Sequence, residues 1–168
     1  MEYKRAVYLL AAAACLAGCR ARPGLLVSHS PNPCDVHSTA GRRKPPFPYM
    51  WYYRTEVRND TDQPIRITQF ECYFDRGSNW VPGNILNRPL TATDFSRWYT
   101  EGARVQRGWI PPHTTAVCDP NWHGMATPSC PRCKWTFDGV DAKGKTYHAE
   151  AEIESVPVKQ GPTDQRHP

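Results

Sequence analysis

The chain has 168 residues, 39% of them hydrophobic, with six Trp, eight Tyr and five Phe, so it can bury a core and is not a disordered chain. Seventeen Pro and eleven Gly argue against long helices and for short strands joined by turns. The formal charge of +5 is unevenly spread: residues 20–48 hold five Lys/Arg against one acid, whereas 49–168 hold fourteen of each, which removes the electrostatic case for nucleic-acid binding.

Lys4 and Arg5 precede an uncharged run, Ala6 to Leu16, of eleven residues. That is the pattern of a signal peptide, and it is too short for the roughly 20 residues of a membrane-crossing helix. The run ends in Leu16-Ala17-Gly18-Cys19, which resembles the bacterial lipobox. By that resemblance residues 1–18 are a leader, Cys19 takes the lipid, and the mature chain has 150 residues. The cysteine would carry diacylglycerol and a further acyl group such as palmitate. Several acyl chains hold a protein on a membrane stably where one is marginal. Arg20 stands where inner-membrane retention signals have Asp, so the expected address is the outer membrane, facing the periplasm.

Residues 19–48 contain six prolines and Arg42-Arg43-Lys44-Pro45-Pro46, and read as a flexible tether. From Tyr49 the pattern alternates: Trp51, Tyr53, Thr55 and Val57 share one face of a strand. Asn59-Asp60-Thr61-Asp62-Gln63-Pro64 supplies a turn into a second strand, Ile65 to Phe74, and the two are expected to pair as a hairpin. Ile65 and Ile67 share one phase but Phe70, Cys72 and Phe74 the other, which predicts a bulge at Thr68 or Gln69. A strand broken at Pro82 and Gly83 follows, and Thr91-Ala92-Thr93-Asp94 has the form of a capping box opening a short helix through Tyr99. Cys133, Trp135 and Phe137, then Asp141-Ala142-Lys143-Gly144, then Tyr147, Ala149, Ala151 and Ile153 spell a second hairpin. Residues 155–168 read as a polar, flexible tail.

These elements predict an all-β domain over 49–154. It should be an immunoglobulin-like or fibronectin-type antiparallel sandwich of about seven strands with one short helix. The turn at residues 59–64, Ile110-Pro111-Pro112-His113-Thr114, Ala126-Thr127-Pro128 and Val140-Asp141-Ala142-Lys143-Gly144 resemble, in their order, ApaG-like and other fibronectin-type domains. The resemblance implies a fold only. The glycine-rich phosphate loop of ApaG proteins is missing, so no ligand is carried over.

Beyond the leader and the lipid site, five cysteines remain: Cys34, Cys72, Cys118, Cys130 and Cys133. In an oxidising compartment most should pair. Phase favours a core disulfide bond between Cys72 and Cys133, on strands expected in opposite sheets, and a loop closed by Cys118 and Cys130. Cys34 would be left in the tether. A local Cys130–Cys133 bridge with redox chemistry is the rival.

Cys118-Asp119-Pro120-Asn121-Trp122-His123-Gly124 reads as the chemically densest loop. Asn121, Trp122 and His123 could recognise an envelope protein or glycan through stacking and hydrogen bonds. Alternatively Asp119-Pro120-Asn121 is only a turn, with Trp122 closing the core and His123 capping backbone groups. Cys118, His123, Cys130 and Cys133 also form a donor set suited to zinc or copper. Glu150, Glu152 and Glu154 read as a solvated face rather than an acid–base pair.

The expectation is therefore a non-catalytic, lipid-anchored envelope lipoprotein whose sandwich binds an envelope partner, without cofactor or nucleic acid. The competing reading is a periplasmic metal-binding or thiol-redox protein.

Overall fold

The computed structural model describes residues 24–39, 46–128 and 132–156. The leader, Cys19, most of the basic cluster, Cys130 and the chain from residue 157 onward lie outside the described residues.

In chain order the elements are β1 Leu25–Ser30, β2 Cys34–Ser38, β3 Tyr49–Asn59, β4 Ile65–Asp75, β5 Trp80–Pro82, β6 Leu90–Thr91 and α1 Ala92–Trp98. There follow β7 Glu101–Gly102, β8 Trp109–Ile110, β9 Thr114–Met125, β10 Cys133–Asp141, β11 Thr146–Ile153 and β12 Ser155–Val156. They form two sheets. The first runs β12-β2-β3-β9-β7, with β1 also on β3; the second runs β11-β10-β4-β5, with β6 and β8 also on β4. The all-β sandwich with one short helix is what the alternating sequence implies, since strands of period two must bury one face against another sheet.

The buried phase of β3 is Trp51, Tyr53, Thr55 and Val57, and that of β10 is Cys133, Trp135 and Phe137, as their alternation requires. Phe70 of β4 lies at the centre. Its ring stacks on Phe137 at 5.6 Å and Trp135 at 6.0 Å and meets Phe95, Trp98 and Tyr99 edge-on. Full burial of one such ring stabilises the fold by about 1.5–3 kcal/mol before the edge-on and stacked geometries add to it.

The helix begins at the expected capping box. Asp94 Oδ2 accepts from the Thr91 N–H at 2.8 Å, while Arg88 grips both carboxylate oxygens at 2.7 and 2.8 Å. These bonds hold the Asp94 carboxyl well below the usual carboxylate range, Arg88 being the largest cause. The bulge also falls at Thr68: Asp138 pairs with Gln69 but Gly139 with Ile67, and the Thr68 hydroxyl donates to Asp138 O at 3.1 Å. The β10–β11 hairpin forms around Gly144, whose φ of 82° suits glycine and whose N–H donates to Asp141 O.

The domain's bounds and one strand pairing differ from expectation. The segment read as a tether holds β1 and β2, so the sandwich begins at Leu25 rather than at residue 49. Both strands pair antiparallel with β3, β1 along its C-terminal half and β2 along its N-terminal half, on either side of Ser30-Pro31-Asn32-Pro33. Ser155 and Val156, placed in the tail, form β12 alongside β2. Secondly, β3 and β4 do not form a hairpin. The chain crosses between sheets at residues 60–64, and Asn59 makes this corner. Its buried Nδ2 donates to Gln63 O at 2.8 Å and to Ile110 O and Pro111 O at 3.1 Å, while Oδ1 accepts the Thr61 N–H at 3.0 Å.

Candidate functional site

The stretch from Cys118 to Gly124 is not a loop but the second half of β9. Tyr53 pairs with Asn121 and Thr55 with Cys118, so β9 spends three steps where β3 spends two. Asp119 and Pro120 are the exposed bulge, a position where the missing proline N–H leaves no ladder bond unmade. One extra residue reverses the side-chain phase. Ala116 and Cys118 point inward before the bulge; Asn121 and His123 point inward after it, and Trp122 turns outward at 39% exposure.

The residues proposed together for recognition are therefore divided. Asn121, 5% exposed, donates from Nδ2 to Thr55 Oγ1 at 2.9 Å and accepts the Trp122 N–H at 2.8 Å. His123, 4% exposed, stacks on Trp51 at 5.1 Å, with Nδ1 3.6 Å from Cys133 Sγ and 3.5 Å from Tyr53 Oη, and Nε2 3.4 Å from Ser155 Oγ. Burial lowers its pKa to about 4, with His29 contributing. Both side chains belong to the interior, and Trp122 alone of the three faces outward.

His29 of β1 sits beside them. Its Nε2 donates to Ala151 O at 3.2 Å, since a carbonyl can only accept, which leaves Nδ1 to accept from the Thr55 hydroxyl at 3.0 Å. Burial lowers its pKa to about 4, in keeping with this neutral form. The chain Asn121–Thr55–His29–Ala151 thus joins the first sheet to β11 of the second. His29 was not singled out from the sequence, although Leu25, Val27 and His29 repeat at period two and carried the signal, and Thr55 was placed only on the shared face of its strand.

Next to this network the sheets part around a cavity of about 640 Å³. Its inner wall includes Cys72, Trp135, Cys118, Asn121 and His123; its mouth carries Phe47, Ile85, Leu86 and Trp122, all about 40% exposed. Among the described residues no Asp, Glu, Lys or Arg lines it. Gly124 makes room for the mouth: a Cβ there would run into the Phe47 ring and the Met50 sulfur. A concave, mostly apolar space of this volume has the form of a small-ligand site. The loop at residues 83–86, read from the sequence as the later part of a strand Trp80 to Leu86 broken at Pro82 and Gly83, supplies much of its outer wall.

The cysteine expectations change as well. Cys72 and Cys133 lie in one sheet, not opposite ones: Cys72 pairs with Trp135 and Cys133 with Phe74, so the two are diagonal neighbours on adjacent strands. Cys34, Cys72, Cys118 and Cys133 are all buried free thiols. Cys34 belongs to β2 and not to a tether. Burial, with the neighbouring Cys133, pushes its thiol up to about 11; burial and Asp119 push Cys118 up to about 11. Contact with Cys72, together with burial, drives the Cys133 thiol higher still. The Cys118–Cys130 pairing and the Cys130–Cys133 alternative fall partly outside the described residues. Among the described residues no three His, Cys, Asp or Glu side chains gather into a metal-holding group; of the zinc or copper set, Cys133 Sγ and His123 Nδ1 stand 3.6 Å apart and Cys130 lies outside the described residues.

No family model and no curated protein matches the chain. Its structure is similar to that of Northeast Structural Genomics Consortium target SoR45, with a TM-score of 0.41 and 13% identity over 86% of this chain and 96% of that one. It is also similar to the ApaA protein from Bordetella pertussis, with a TM-score of 0.43 and 14% identity over 78% and 93% of the two chains. No residue role is taken from either.

Proposed function

We propose that this chain is a non-catalytic binding protein of the bacterial cell envelope. It is anchored by lipid at Cys19 in the periplasmic leaflet of the outer membrane, and it captures its partner at the cavity bordered by Trp122 and Phe47. The observation that carries the reading is the cavity itself, an apolar space of about 640 Å³ with a mouth of exposed apolar side chains. Exposed apolar side chains gathered at one opening, rather than scattered, mark a place where something binds.

Position and chemistry support it further. Leu25, just after the anchor region, pairs with Asn59, whereas Trp122 pairs with Tyr52, seven residues along β3. At about 3.3 Å per residue the anchored end and the cavity are separated by roughly 23 Å along the strand. The cavity then lies toward the opposite end of β3 from Leu25, the first strand residue after the anchor region. The thiols Cys34 and Cys118, pushed up to about 11, stay protonated at neutral pH and make poor nucleophiles.

The anchor is tested by labelling cells with palmitate and separating membranes. Cys19→Ala is expected to abolish the label and move the protein to the soluble periplasmic fraction; an unlabelled wild-type chain would remove the anchor. The binding face is tested by capture of envelope components with wild type and with Trp122→Ala, whose folding is checked by circular dichroism. An identical set of captured components would remove this face from the reading.

A further inference from the structure

We propose that the cavity takes an unbranched fatty acyl chain, with the polar end of that lipid left at the open mouth. The inference rests on the binding reading above and specifies its ligand.

Three features of the wall choose hydrocarbon. First, among the described residues the lining contains no charged side chain, and its one titratable base, His123, is neutral. Secondly, the polar atoms deep in the wall already have partners within the protein. The Asn121 amide is spent on Thr55 and the Trp122 N–H, both nitrogens of His123 face protein atoms, and the Trp135 N–H donates to Tyr53 at 2.8 Å. Among the described residues the buried side-chain atoms without partners are Trp51 Nε1 and Tyr99 Oη, and neither residue lines the cavity. A ligand carrying buried donors or acceptors would lose its hydration there and gain nothing in return, whereas a chain of methylenes loses nothing. Thirdly, the apolar surface continues outward over Ile85, Leu86, Phe47 and Trp122, so a chain longer than the cavity stays covered as it leaves.

A peptide strand added to β9 beyond its pairing with β7, where the described residues leave that edge without a strand, is the competing occupant. The bulge at Asp119 and Pro120 interrupts that edge, and proline offers no N–H to a new strand, so the edge is a poor template. The acyl chain is also the ligand that an envelope surface supplies in quantity.

The experiment uses the full chain carrying Cys19→Ala, purified without detergent, and the fluorescent fatty acid cis-parinaric acid. One saturable site per chain is expected, displaced by palmitate. Displacement by palmitate alone identifies free fatty acid as the ligand source, and displacement also by phosphatidylethanolamine vesicles identifies a bilayer lipid. Ile85→Asp with Leu86→Asp puts two carboxylates into the mouth on an exposed loop and is expected to weaken binding about tenfold or more. Leu26→Asp, at an exposed apolar side chain of β1 that does not line the cavity, is expected to retain binding. No saturable binding, or equal binding in the doubly acidic variant with an unchanged melting curve, overturns the proposal. If parinarate fails while Trp122→Ala still alters the envelope components captured, the acyl ligand is wrong and the binding face is not.

Discussion

Trp135 donates its indole N–H to the Tyr53 hydroxyl across 2.8 Å, and the two side chains come from opposite sheets. Both residues are buried, so neither polar group has water as a substitute. Burial, with the neighbouring Cys72 and Cys133, holds the Tyr53 phenol well above its ordinary pKa, so it stays protonated and keeps one donor and one acceptor. Tyr53→Phe leaves the indole N–H unpaired in the core. We expect a loss of about 1–3 kcal/mol, read as a lower urea midpoint with an unchanged slope. Tyr53→Phe combined with Trp135→Phe should lose less than the two single losses added together, because the orphaned donor goes with its acceptor.

Asn59 concentrates more bonds in one side chain. Its amide satisfies the carbonyls of Gln63, Ile110 and Pro111 and the N–H of Thr61, at a site fully closed to water. Asn59→Ala should cost about 3 kcal/mol or more, since several buried backbone groups lose a partner together. Asn59→Asp keeps the acceptor but turns the donor into a charge facing carbonyls, and it should be worse. Thermal melts of both variants give the order.

What the sequence made legible and what it hid follow from the same physics. The β10–β11 hairpin and the Thr68 bulge were readable because alternation and a change of phase are local facts. The capping box was readable because Thr91 and Asp94 are three residues apart. The turn chemistry of residues 59–64 announced a change of direction, but no local signal tells whether the chain returns in its own sheet or crosses to the other. That one ambiguity also misplaced Cys72 relative to Cys133, because the β4–β10 neighbourhood depends on it. β1 and β2 were hidden by the prolines around them: their order comes from pairing with β3, a partner tens of residues away. The site was half legible. The stretch at 118–124 was marked by its residue types, but the bulge that sends Trp122 outward and His123 inward is set by the register against β3. The cavity itself is assembled from segments as distant as Phe47, Leu86 and Trp135, and no single stretch of sequence spells it.

Asp94 is nearly buried at the head of α1, while its partner Arg88 is about half exposed, so solvent screens part of the ion pair. The Thr91 N–H bond is independent of that screening. Asp94→Asn keeps an acceptor for Thr91 but gives up the charge that both Arg88 and the helix N-terminus favour. A loss of about 1–2 kcal/mol is expected. Arg88→Ala should lose less, since Thr91 still binds the carboxylate. If Arg88→Ala proves the costlier of the two in urea titrations, the ion pair rather than the cap holds this corner.

The histidine pair sets the acid limit of the fold. His29 is half-buried and His123 buried, and both are neutral, with pKa values lowered to about 4 from 6.5, desolvation being the larger cause for each. The unfolded chain therefore binds protons at these positions as pH falls below about 6.5, while the folded chain does not until about 4. Stability from this source is fully present above pH 6.5. It falls between 6.5 and 4, by up to about 3 kcal/mol for each group, and levels off below. Protonating His29 would also place an N–H where Nδ1 now accepts from Thr55, breaking the chain of bonds that ends at Ala151. Urea midpoints measured from pH 7.5 to 4.5 should decline through this window. His29→Gln should remove about half of the decline, because an amide does not titrate there. A flat profile above pH 5 in the wild-type chain would mean that the two imidazoles are solvated rather than buried.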